Sequence, residues 1–463
     1  MRKSFLALAA MIAAAACTDT TSPVTPPSNA SVDSVATPAV NASFIASSTV
    51  FSGYSLSSHH WTHIKTFMTD YYYSWTDTER RWAGAHYDVA MSGSISAWKS
   101  SNPTVQHLTY ALLWTTTTTG DNLATGFYPD MQRWYRAHPQ YSFEKAFVHR
   151  AGASFSSSGR VTYSHWGTTR WAINPGDAGA VAYTVSRIQR LVSPDGGIFF
   201  DEASTGDMRA HLGTMQEYSS SDYTAAIGRL LGAIKNGVGL KMLMLNTAEY
   251  TTPQDSINAA RAGAVHLEMF NNFKYSGMAP RWTWIEHLAT SGVFVDVVSA
   301  YNSSSMASMA TYYPRGNSPT NVQRAKLWEL ASYYIGLPTS GADRVAIQLE
   351  NTWGKAYSTI WTKAQEANVG RPLSQRVLQS SGTDPYGNRY QLWVRDFERA
   401  RIVLRLQQGW GSQTYTDGTA ITVALPSGER WIPLNADATI ESPVTSVRLR
   451  NSEAAILFKG SKL

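Results

Sequence analysis

Short apolar runs alternate with longer stretches of helical periodicity from about residue 87 to residue 351. Strands that alternate with helices predict a parallel sheet covered by helices. Eight such units over roughly 265 residues match a (β/α)8 TIM barrel, which typically needs about 250 residues. An open doubly wound sheet is the alternative, but it would normally carry a glycine fingerprint after its first strand, and "MSGSIS" is not one. The eight runs lie at 87–93, 107–115, 145–152, 196–204, 240–250, 264–272, 293–301 and 344–351.

The sequence changes character on both sides of the predicted barrel. Residues 18–50 are rich in Ser, Thr, Pro and Ala and lack a periodic apolar pattern, which predicts a tether. From about residue 374, short β-type runs such as "RIVLRLQQGWG" are separated by Gly, Pro, Asn and Asp, without an intervening helical segment. We therefore predict a barrel over residues 51–370, followed by a small all-β sandwich over residues 374–463.

The first 17 residues, "MRKSFLALAAMIAAAAC", have the layout of a secretory signal. Their apolar stretch is shorter than the ~20 residues that span a bilayer. The ending "AAAC" resembles the lipobox of bacterial lipoproteins, which implies a lipid anchor on Cys17, although Ala14 stands where such motifs usually have Leu. We expect a protein of the bacterial cell envelope, at the outer surface or in the periplasm, that meets the membrane only through this anchor. Plain secretion is the alternative.

Composition narrows the class of partner. The net charge of +6 is modest and the basic residues are scattered, whereas nucleic-acid binding normally needs a clustered basic patch. The chain has 16 Trp and 24 Tyr, whose flat faces suit either sugar rings or an aromatic core. A phosphate-binding glycine loop, a GxSxG motif and an HExxH motif are missing from the sequence. We therefore predict no nucleic-acid partner, no metal and no cofactor, and expect a carbohydrate-binding monomer.

The run "GGIFFDEAS" places two carboxylates, Asp201 and Glu202, directly after a buried strand. Catalytic groups of barrel enzymes lie at the carboxyl ends of the strands. Side chains alternate between the two faces of a strand. If Asp201 faces the barrel axis, Ile198 and Phe200 face the helices, and so does Glu202 unless the strand has already turned. Asp201 is therefore the predicted catalytic residue, and Glu202 is a predicted substrate-binding residue.

The same alternation picks out polar residues in the later runs. In "AVHLEMFNN", Glu268 shares one face with His266, and apolar residues occupy the other face. Glu350 faces inward at the end of the eighth run, and Asn246 ends the fifth run. We predict that Glu268 is catalytic and that Asn246 and Glu350 bind substrate. Asp296, in the middle of the seventh run, is predicted to be structural.

Two carboxylates across a cleft are the groups that glycoside hydrolysis uses. One acid stays protonated to donate to the leaving oxygen, and one carboxylate acts as nucleophile or base. Because apolar residues and amides adjoin Glu268 in "MFNN", we assign Glu268 as general acid and Asp201 as nucleophile or base. The alternative is that these acids are structural and pair with a barrel arginine such as Arg150.

Aromatic residues near the ends of the runs are candidates for sugar stacking. Trp114 ends the second run and Trp171 precedes the fourth, and core packing explains each of them equally well. Tyr301 begins the long segment 301–319, and long loops in compact domains are often functional. We therefore predict that Trp114, Trp171 and Tyr301 line sugar subsites.

The segment "WAINPGDAGAVAYTVSRIQRLVSPDGGIFFDEAS" resembles barrels of the family catalogued as hypothetical glycosyl hydrolase 15. In such families a Trp-x-x-Asn/Asp-Pro segment opens the helix before a strand that reads Asp-Gly-Ile-Phe-Phe-Asp. "LMLNTAEY" and "AVHLEMFNN" resemble the Asn-ended fifth strand and the Glu-bearing sixth strand. The resemblance covers about residues 80–460 and implies that Asp201 and Glu268 are the catalytic pair, with Asn246 as a neighbour. It implies a reaction class but no particular substrate.

The main prediction is a glycoside hydrolase that cleaves a polysaccharide or oligosaccharide. A non-catalytic, carbohydrate-binding lipoprotein on the same scaffold is the alternative from another class, since a binding protein needs aromatic residues more than it needs both acids. A metal-dependent hydrolase or deacetylase is a third possibility.

Overall fold

The computed structural model describes most of the chain between residues 64 and 460. The signal segment 1–17, the tether 18–50, Glu268 and Tyr301 lie outside the described residues, as does the side chain of Glu350. The described ranges are 64–67, 76–91, 95–165, 167–193, 196–247, 252–267, 275–300, 319–350, 362–407, 419–436, 440–451 and 453–460.

Eight parallel strands form one curled sheet. In chain order they are β1 Ile64–Phe67, β2 Val89–Met91, β3 Gln106–Leu112, β7 Gly197–Asp201, β8 Leu243–Asn246, β9 Ala264–Leu267, β10 Phe294–Ala300 and β11 Val345–Glu350. The hydrogen-bonded order is β1-β11-β10-β9-β8-β7-β3-β2, and β1 also pairs with β2. Each strand of this sheet therefore has a parallel neighbour on both sides.

Helices follow most strands of the parallel sheet, as the alternating pattern predicts. In chain order they are α1 Asp77–His86, α2 Ile95–Ser101, α3 Tyr128–Ala137, α4 Ala178–Leu191, α5 Thr205–Leu212, α6 Ser220–Val238, α7 Pro253–Ala262, α8 Tyr275–Thr290 and α9 Pro319–Gly336. The stretches "AVAYTVSRIQRLV" and "AAIGRLLGAIKN" correspond to α4 and α6. Side-chain caps fix several starts: Ser204 and Ser219 accept from the backbone N–H groups three residues on. None of the helices in the described ranges has the length and apolar character of a membrane span.

Strand alternation sorts the apolar residues of β7 as predicted. Ile198 and Phe200 pack outside the sheet with residues of α6 such as Ile227 and Leu230. Phe199 joins a second cluster, to which seven strands contribute: Val89, Met91, Leu108, Met244, Ala264, Phe294 and Ala346 are among its members. Because one cluster collects residues from strands all around the sheet, it is the interior of the curl. Asp201 has the parity of Phe199 and so belongs to the inward face.

The prediction of a strand at 145–152 is wrong. Residues Glu144–Ala146 form a 3-10 helix, and the following residues make only isolated bridges to segments outside the parallel sheet. A strand buried on both faces is nearly continuously apolar, whereas this run contains Lys145, His149 and Arg150. The buried His149 ring instead contacts two carboxylates, Glu217 at 2.7 Å and Glu144 at 3.0 Å.

The strand β1 at Ile64–Phe67 lies before the predicted barrel pattern, and the sequence analysis did not find it. Its four residues, "IKTF", are too few and too polar to stand out as a buried run. This omission offsets the false strand at 145–152. Asp201 therefore still ends the fourth parallel strand in chain order, and Asn246 still ends the fifth.

The long segment between β3 and β7 forms a small unit that the sequence analysis did not predict. Before α4, it contains α3 and a three-stranded antiparallel sheet in the order β4-β6-β5, made of β4 Thr115–Thr117, β5 Thr162–His165 and β6 Thr168–Ala172. We call residues 113–177 the insert. Because β3 ends at Leu112 and β4 begins at Thr115, the insert starts at the carboxyl end of β3, and β4 pairs Thr116 with Trp171 of β6.

In the described residues from Val377 onward the strands form separate antiparallel sheets, as predicted. It comprises β12 Val377–Thr383, β13 Arg389–Asp396, β14 Ala400–Gln407, β15 Ile421–Ala424, β16 Trp431–Pro433, β17 Ser446–Leu449 and β18 Ala454–Lys459. The sheets β12-β13-β14-β18-β16 and β15-β17 share no strand with the parallel sheet. Ile402 and Leu404 pack with Trp328 of α9, while Val403 packs with Val423 and Leu449 of the smaller sheet. The central strand β14 is thus covered on both faces, and the domain boundaries at 370 and 374 stay a prediction.

Candidate active site

Asp201 ends β7 and accepts three hydrogen bonds. Its Oδ2 atom accepts from the Tyr110 hydroxyl at 2.8 Å. Its Oδ1 atom accepts from Asn246 Nδ2 at 2.8 Å and from the backbone N–H of Glu202 at 2.8 Å. Tyr110 lies on β3 and Asn246 on β8, the two strands that flank β7. Donors from three neighbouring strand ends therefore fix this carboxylate and stabilise negative charge on it.

The sequence analysis selected Asp201 and Asn246 and missed Tyr110. The structure brings Asn246 into direct contact with Asp201, which is the neighbour relation that the sequence resemblance implied. Tyr110 has the parity of Leu108, an interior residue, and its ring stacks on Phe199 with the centroids 6.4 Å apart. The available signal was a hydroxyl-bearing residue on the inward face of "HLTYALLWT", close to the end of the strand.

Glu202 does not continue β7. Its φ of 52° lies in the left-handed region, and it is the one residue other than glycine with positive φ among those that the structure describes. The turn directs its carboxylate to Arg170 of β6, which donates to Oε2. The indole Nε1–H of Trp114 donates to the backbone carbonyl of Glu202 at 2.6 Å. Burial raises the pKa of Glu202 to about 7, although Arg170 acts in the opposite direction.

Burial of Glu202 makes the stability of the fold depend on pH. Because its pKa in the folded protein lies above the ordinary 4.5, ionisation is less favourable in the folded chain than in the unfolded chain. The contribution of Glu202 to the free energy of unfolding is therefore complete below about pH 4.5 and is lost as the pH rises through about 7. We expect Glu202→Gln, which cannot ionise, to gain on the order of 1 to 3 kcal/mol over the wild type between about pH 4 and pH 8. Urea unfolding at both pH values measures this change, and a pH-independent difference would contradict it.

Below the predicted catalytic level, the interior of the sheet holds a buried contact between a histidine and an aspartate. His266 Nδ1 lies 2.5 Å from Asp296 Oδ2, and the two residues face each other in the register of β9 and β10. The His266 ring also meets the edge of Phe199, with the centroids 5.1 Å apart. These contacts agree with the prediction that Asp296 is structural. They also place His266 on the inward face of β9, as predicted for this strand.

The two tryptophans proposed for sugar stacking each pack against an aromatic residue of the insert. Trp114 is 1% exposed, and its ring stacks on Tyr163 with the centroids 5.3 Å apart. Trp171 is partly buried and meets the ring edge of Tyr128 at 4.6 Å, with the Arg160 guanidinium 4.8 Å from its ring. The contacts of both rings match the core-packing alternative, and none of these contacts is with Asp201.

The remaining predicted residues divide into those that the structure places and those outside it. Arg150 donates to the backbone carbonyl of Ser158 at 2.7 Å. It is not among the three donors to Asp201 described above. Glu268 and Tyr301 lie outside the described residues, and so does the Glu350 side chain, while the backbone of Glu350 ends β11. Across the described ranges, His, Cys, Asp and Glu side chains form no group of three or more that could hold a metal ion.

Comparisons with known proteins leave the family open. No protein-family model matches the chain, and no curated protein matches it in sequence. Among solved structures, Eubacterium rectale Amy13B is similar at 8% identity and a TM-score of 0.41, over 82% of this chain and 89% of that one. A xylosidase from Aspergillus niger gives 9% identity and a TM-score of 0.44 over 87% of this chain and 64% of its own length. An α-galactosidase from Thermus thermophilus, solved with stachyose, gives 11% and 0.37 over 67% of this chain and 66% of that one.

Two of these neighbours are glycosidases, a xylosidase and an α-galactosidase, but the TM-scores of all three are below 0.5. A likeness at this level carries no argument about the reaction of this chain. The similarity to the family catalogued as hypothetical glycosyl hydrolase 15 therefore stays a sequence resemblance, and the proposals below depend on the geometry of Asp201.

Proposed function

We propose that this protein is a glycoside hydrolase that cleaves a polysaccharide or oligosaccharide, with its active site at the carboxyl ends of a (β/α)8 barrel. The observation that carries the proposal is the setting of Asp201. It is a carboxylate at the end of a parallel strand, held by Tyr110 and Asn246 from the two flanking strands. Polar groups at this edge of a parallel barrel are the usual catalytic groups of the fold.

The strand pairing supports the barrel. Eight parallel strands each have two hydrogen-bonded neighbours, and their inward side chains meet in one apolar cluster. Above this cluster, at the carboxyl ends, the inward positions become polar at Asp201 and Asn246. Barrel enzymes have this arrangement, with a packed apolar interior and a polar substrate-binding site at the carboxyl ends of the strands.

In the proposed reaction Asp201 is the nucleophile or base and Glu268 is the general acid. Glu268 follows Leu267, the last residue of β9, and we retain the sequence-based prediction that it shares the inward face with His266. The proton of Glu268 goes to the leaving oxygen as the glycosidic C–O bond breaks. Asp201 either bonds to the anomeric carbon, for later release by water, or removes a proton from the attacking water. The three donors hold Asp201 in one orientation for either role.

The substrate-binding residues stay proposals, some supported by contacts in the structure and others only by the sequence. Asn246 donates to Asp201, so a sugar would bind to Asn246 either beside this hydrogen bond or in place of it. Glu350 and Tyr301 are proposed from the sequence alone. For Trp114 the burial of the ring favours a role behind the site, while Trp171 keeps part of its surface exposed.

Release of reducing sugar from a panel of polysaccharides tests the proposed function most directly. We expect the full chain to release reducing ends from at least one neutral or amino-sugar polymer, and the Asp201→Asn variant to release none. Binding of a polymer without release, in both proteins, would favour the carbohydrate-binding lipoprotein instead. Release that survives in Asp201→Asn would place the chemistry on other residues.

We further propose that Cys17 carries the lipid anchor and that the protein belongs to the bacterial cell envelope. Cys17 is the only cysteine of the chain and follows three alanines. Expression in a bacterium with a fatty-acid probe should label the wild-type protein and leave Cys17→Ala unlabelled. Equal labelling of the two proteins would contradict the anchor, and a soluble, unlabelled wild type would indicate plain secretion.

A further inference from the structure

We infer that Arg170 and Trp114 of the insert are positioning residues for Asp201, and that they act by holding Glu202 in a bulge at the end of β7. The inference rests on the proposed catalytic role of Asp201. It gives the insert a function in the reaction, and it gives Glu202 a role through its backbone instead of through a contact with substrate.

The hydrogen bonds between β7 and β8 show the bulge. Ile198 N–H donates to the Met242 carbonyl at 2.9 Å. In a regular parallel ladder the bonds recur every two residues, so that the N–H of Glu202 would donate to the carbonyl of Asn246. Instead, the N–H of Ala203 occupies that carbonyl, at 2.9 Å. Glu202 is the extra residue of the bulge, and its left-handed φ of 52° is a conformation that one type of bulge uses, usually with glycine at this position.

The bulge has a direct consequence for Asp201. Because Ala203 bonds to the Asn246 carbonyl, the N–H of Glu202 is released from the ladder and donates to Asp201 Oδ1 at 2.8 Å. The side chain of Asn246 bonds to the same oxygen, also at 2.8 Å. One oxygen of Asp201 is thus fixed by two donors, and one of these exists only while the bulge is in place.

A glutamate is an unfavourable residue for this position. Left-handed backbone costs a residue with a Cβ atom about 1 to 2 kcal/mol, whereas glycine adopts it freely. Two contacts from the insert offset this cost. Arg170, 8% exposed, donates to the Glu202 carboxylate, and Trp114, 1% exposed, donates to its carbonyl at 2.6 Å. Stacking on Tyr163 fixes the Trp114 ring.

Replacement of Glu202 by glycine and by alanine separates this role from a contact with substrate. Glu202→Gly keeps the bulge without Arg170, because glycine needs no support there. Glu202→Ala loses the contact with Arg170 and keeps the backbone cost. On the polysaccharide from which the wild type releases most sugar, we expect Glu202→Ala to lower kcat about tenfold to a hundredfold with little change in KM. Glu202→Gly should stay within about threefold of the wild type.

A double-mutant cycle with Arg170 supplies the second readout. Arg170→Met should lower kcat in the wild-type background and have little effect in the Glu202→Gly background, because the support is no longer needed there. Trp114→Phe, which keeps the ring and removes the N–H, should behave in the same way. Equal losses in Glu202→Gly and Glu202→Ala with raised KM would overturn the inference and return Glu202 to substrate binding. Additive losses of kcat in the cycle would mean that the pair of Arg170 and Glu202 is only structural, which would also overturn the inference.

Structures of the same full-chain variants test the inference independently of activity. Crystal structures should show the Asp201 side chain in its wild-type position in Glu202→Gly, and rotated away from the residue 202 N–H in the Glu202→Ala, Arg170→Met double variant. An unmoved Asp201 in that double variant would also overturn the inference. The proposed function fails separately, if Asp201→Asn keeps full activity, whatever happens at residue 202.

Discussion

Asp201→Asn should lower kcat by roughly 10⁴-fold or more while KM and the fold change little. The asparagine side chain matches the size of the carboxylate, and its carbonyl oxygen can still accept hydrogen bonds. It cannot serve as a nucleophile or take a proton from water, so the loss falls on the chemical step. Steady-state kinetics on the best polysaccharide measure the effect, and circular dichroism and urea unfolding check the fold.

Asp121→Asn is the matched control for this substitution. Asp121 lies in the insert, and its half-exposed carboxylate pairs with Arg133 at 2.8 Å instead of with a residue of the proposed active site. An exposed ion pair contributes little to stability, so activity should be unchanged. Full activity in both variants would remove Asp201 from the reaction. Equal partial losses would indicate damage to the fold.

The order of strands and helices around Asp201 could be predicted because each signal is local. The run "IFF" is apolar on both faces, and the structure gives Phe199 to the interior and Ile198 and Phe200 to the helices. The inward parity of Asp201 then follows from the two-residue period of a strand. The same reasoning holds for His266 on β9, which meets Phe199 inside the sheet.

Tyr110 and Arg170 could not be predicted as partners of Asp201 and Glu202 because they come from distant parts of the chain. Tyr110 and Asp201 are 91 residues apart, and Arg170 and Glu202 are 32 residues apart. Neither contact has a signal in sequence spacing. The bulge was hidden for another reason, since left-handed positions are normally marked by Gly or Asn, and Glu202 carries no such mark.

The errors in the first half of the parallel sheet have a physical cause as well. The run at 145–152 contains enough apolar residues to suggest a strand, but both ring nitrogens of the buried His149 lie within hydrogen-bond distance of the Glu144 and Glu217 carboxylates. The backbone of this run makes only isolated bridges to segments outside the parallel sheet. Conversely, β1 is only four residues long, so its pairing with β2 and β11 determines it more than its own composition does.

Glu268→Gln should lower kcat by about 10²- to 10⁴-fold on a natural polysaccharide, because the leaving oxygen no longer receives a proton. On a substrate with a good leaving group, such as a dinitrophenyl glycoside of the sugar that the wild type releases, most of this loss should disappear, since that leaving group departs as an anion without help. Asp201→Asn should stay inactive on the same substrate, because its missing nucleophile or base is needed whichever group leaves.

Comparison of the two variants on the two substrates decides the assignment of roles. Rescue of Glu268→Gln alone would support Glu268 as the general acid and Asp201 as the nucleophile or base. Rescue of Asp201→Asn alone would reverse these roles, and the three donors around Asp201 would then have to orient a protonated acid. If Glu268→Gln is fully active on the natural polysaccharide, the acid lies elsewhere at the carboxyl ends of the strands, and Glu350 at the end of β11 is the next residue to replace.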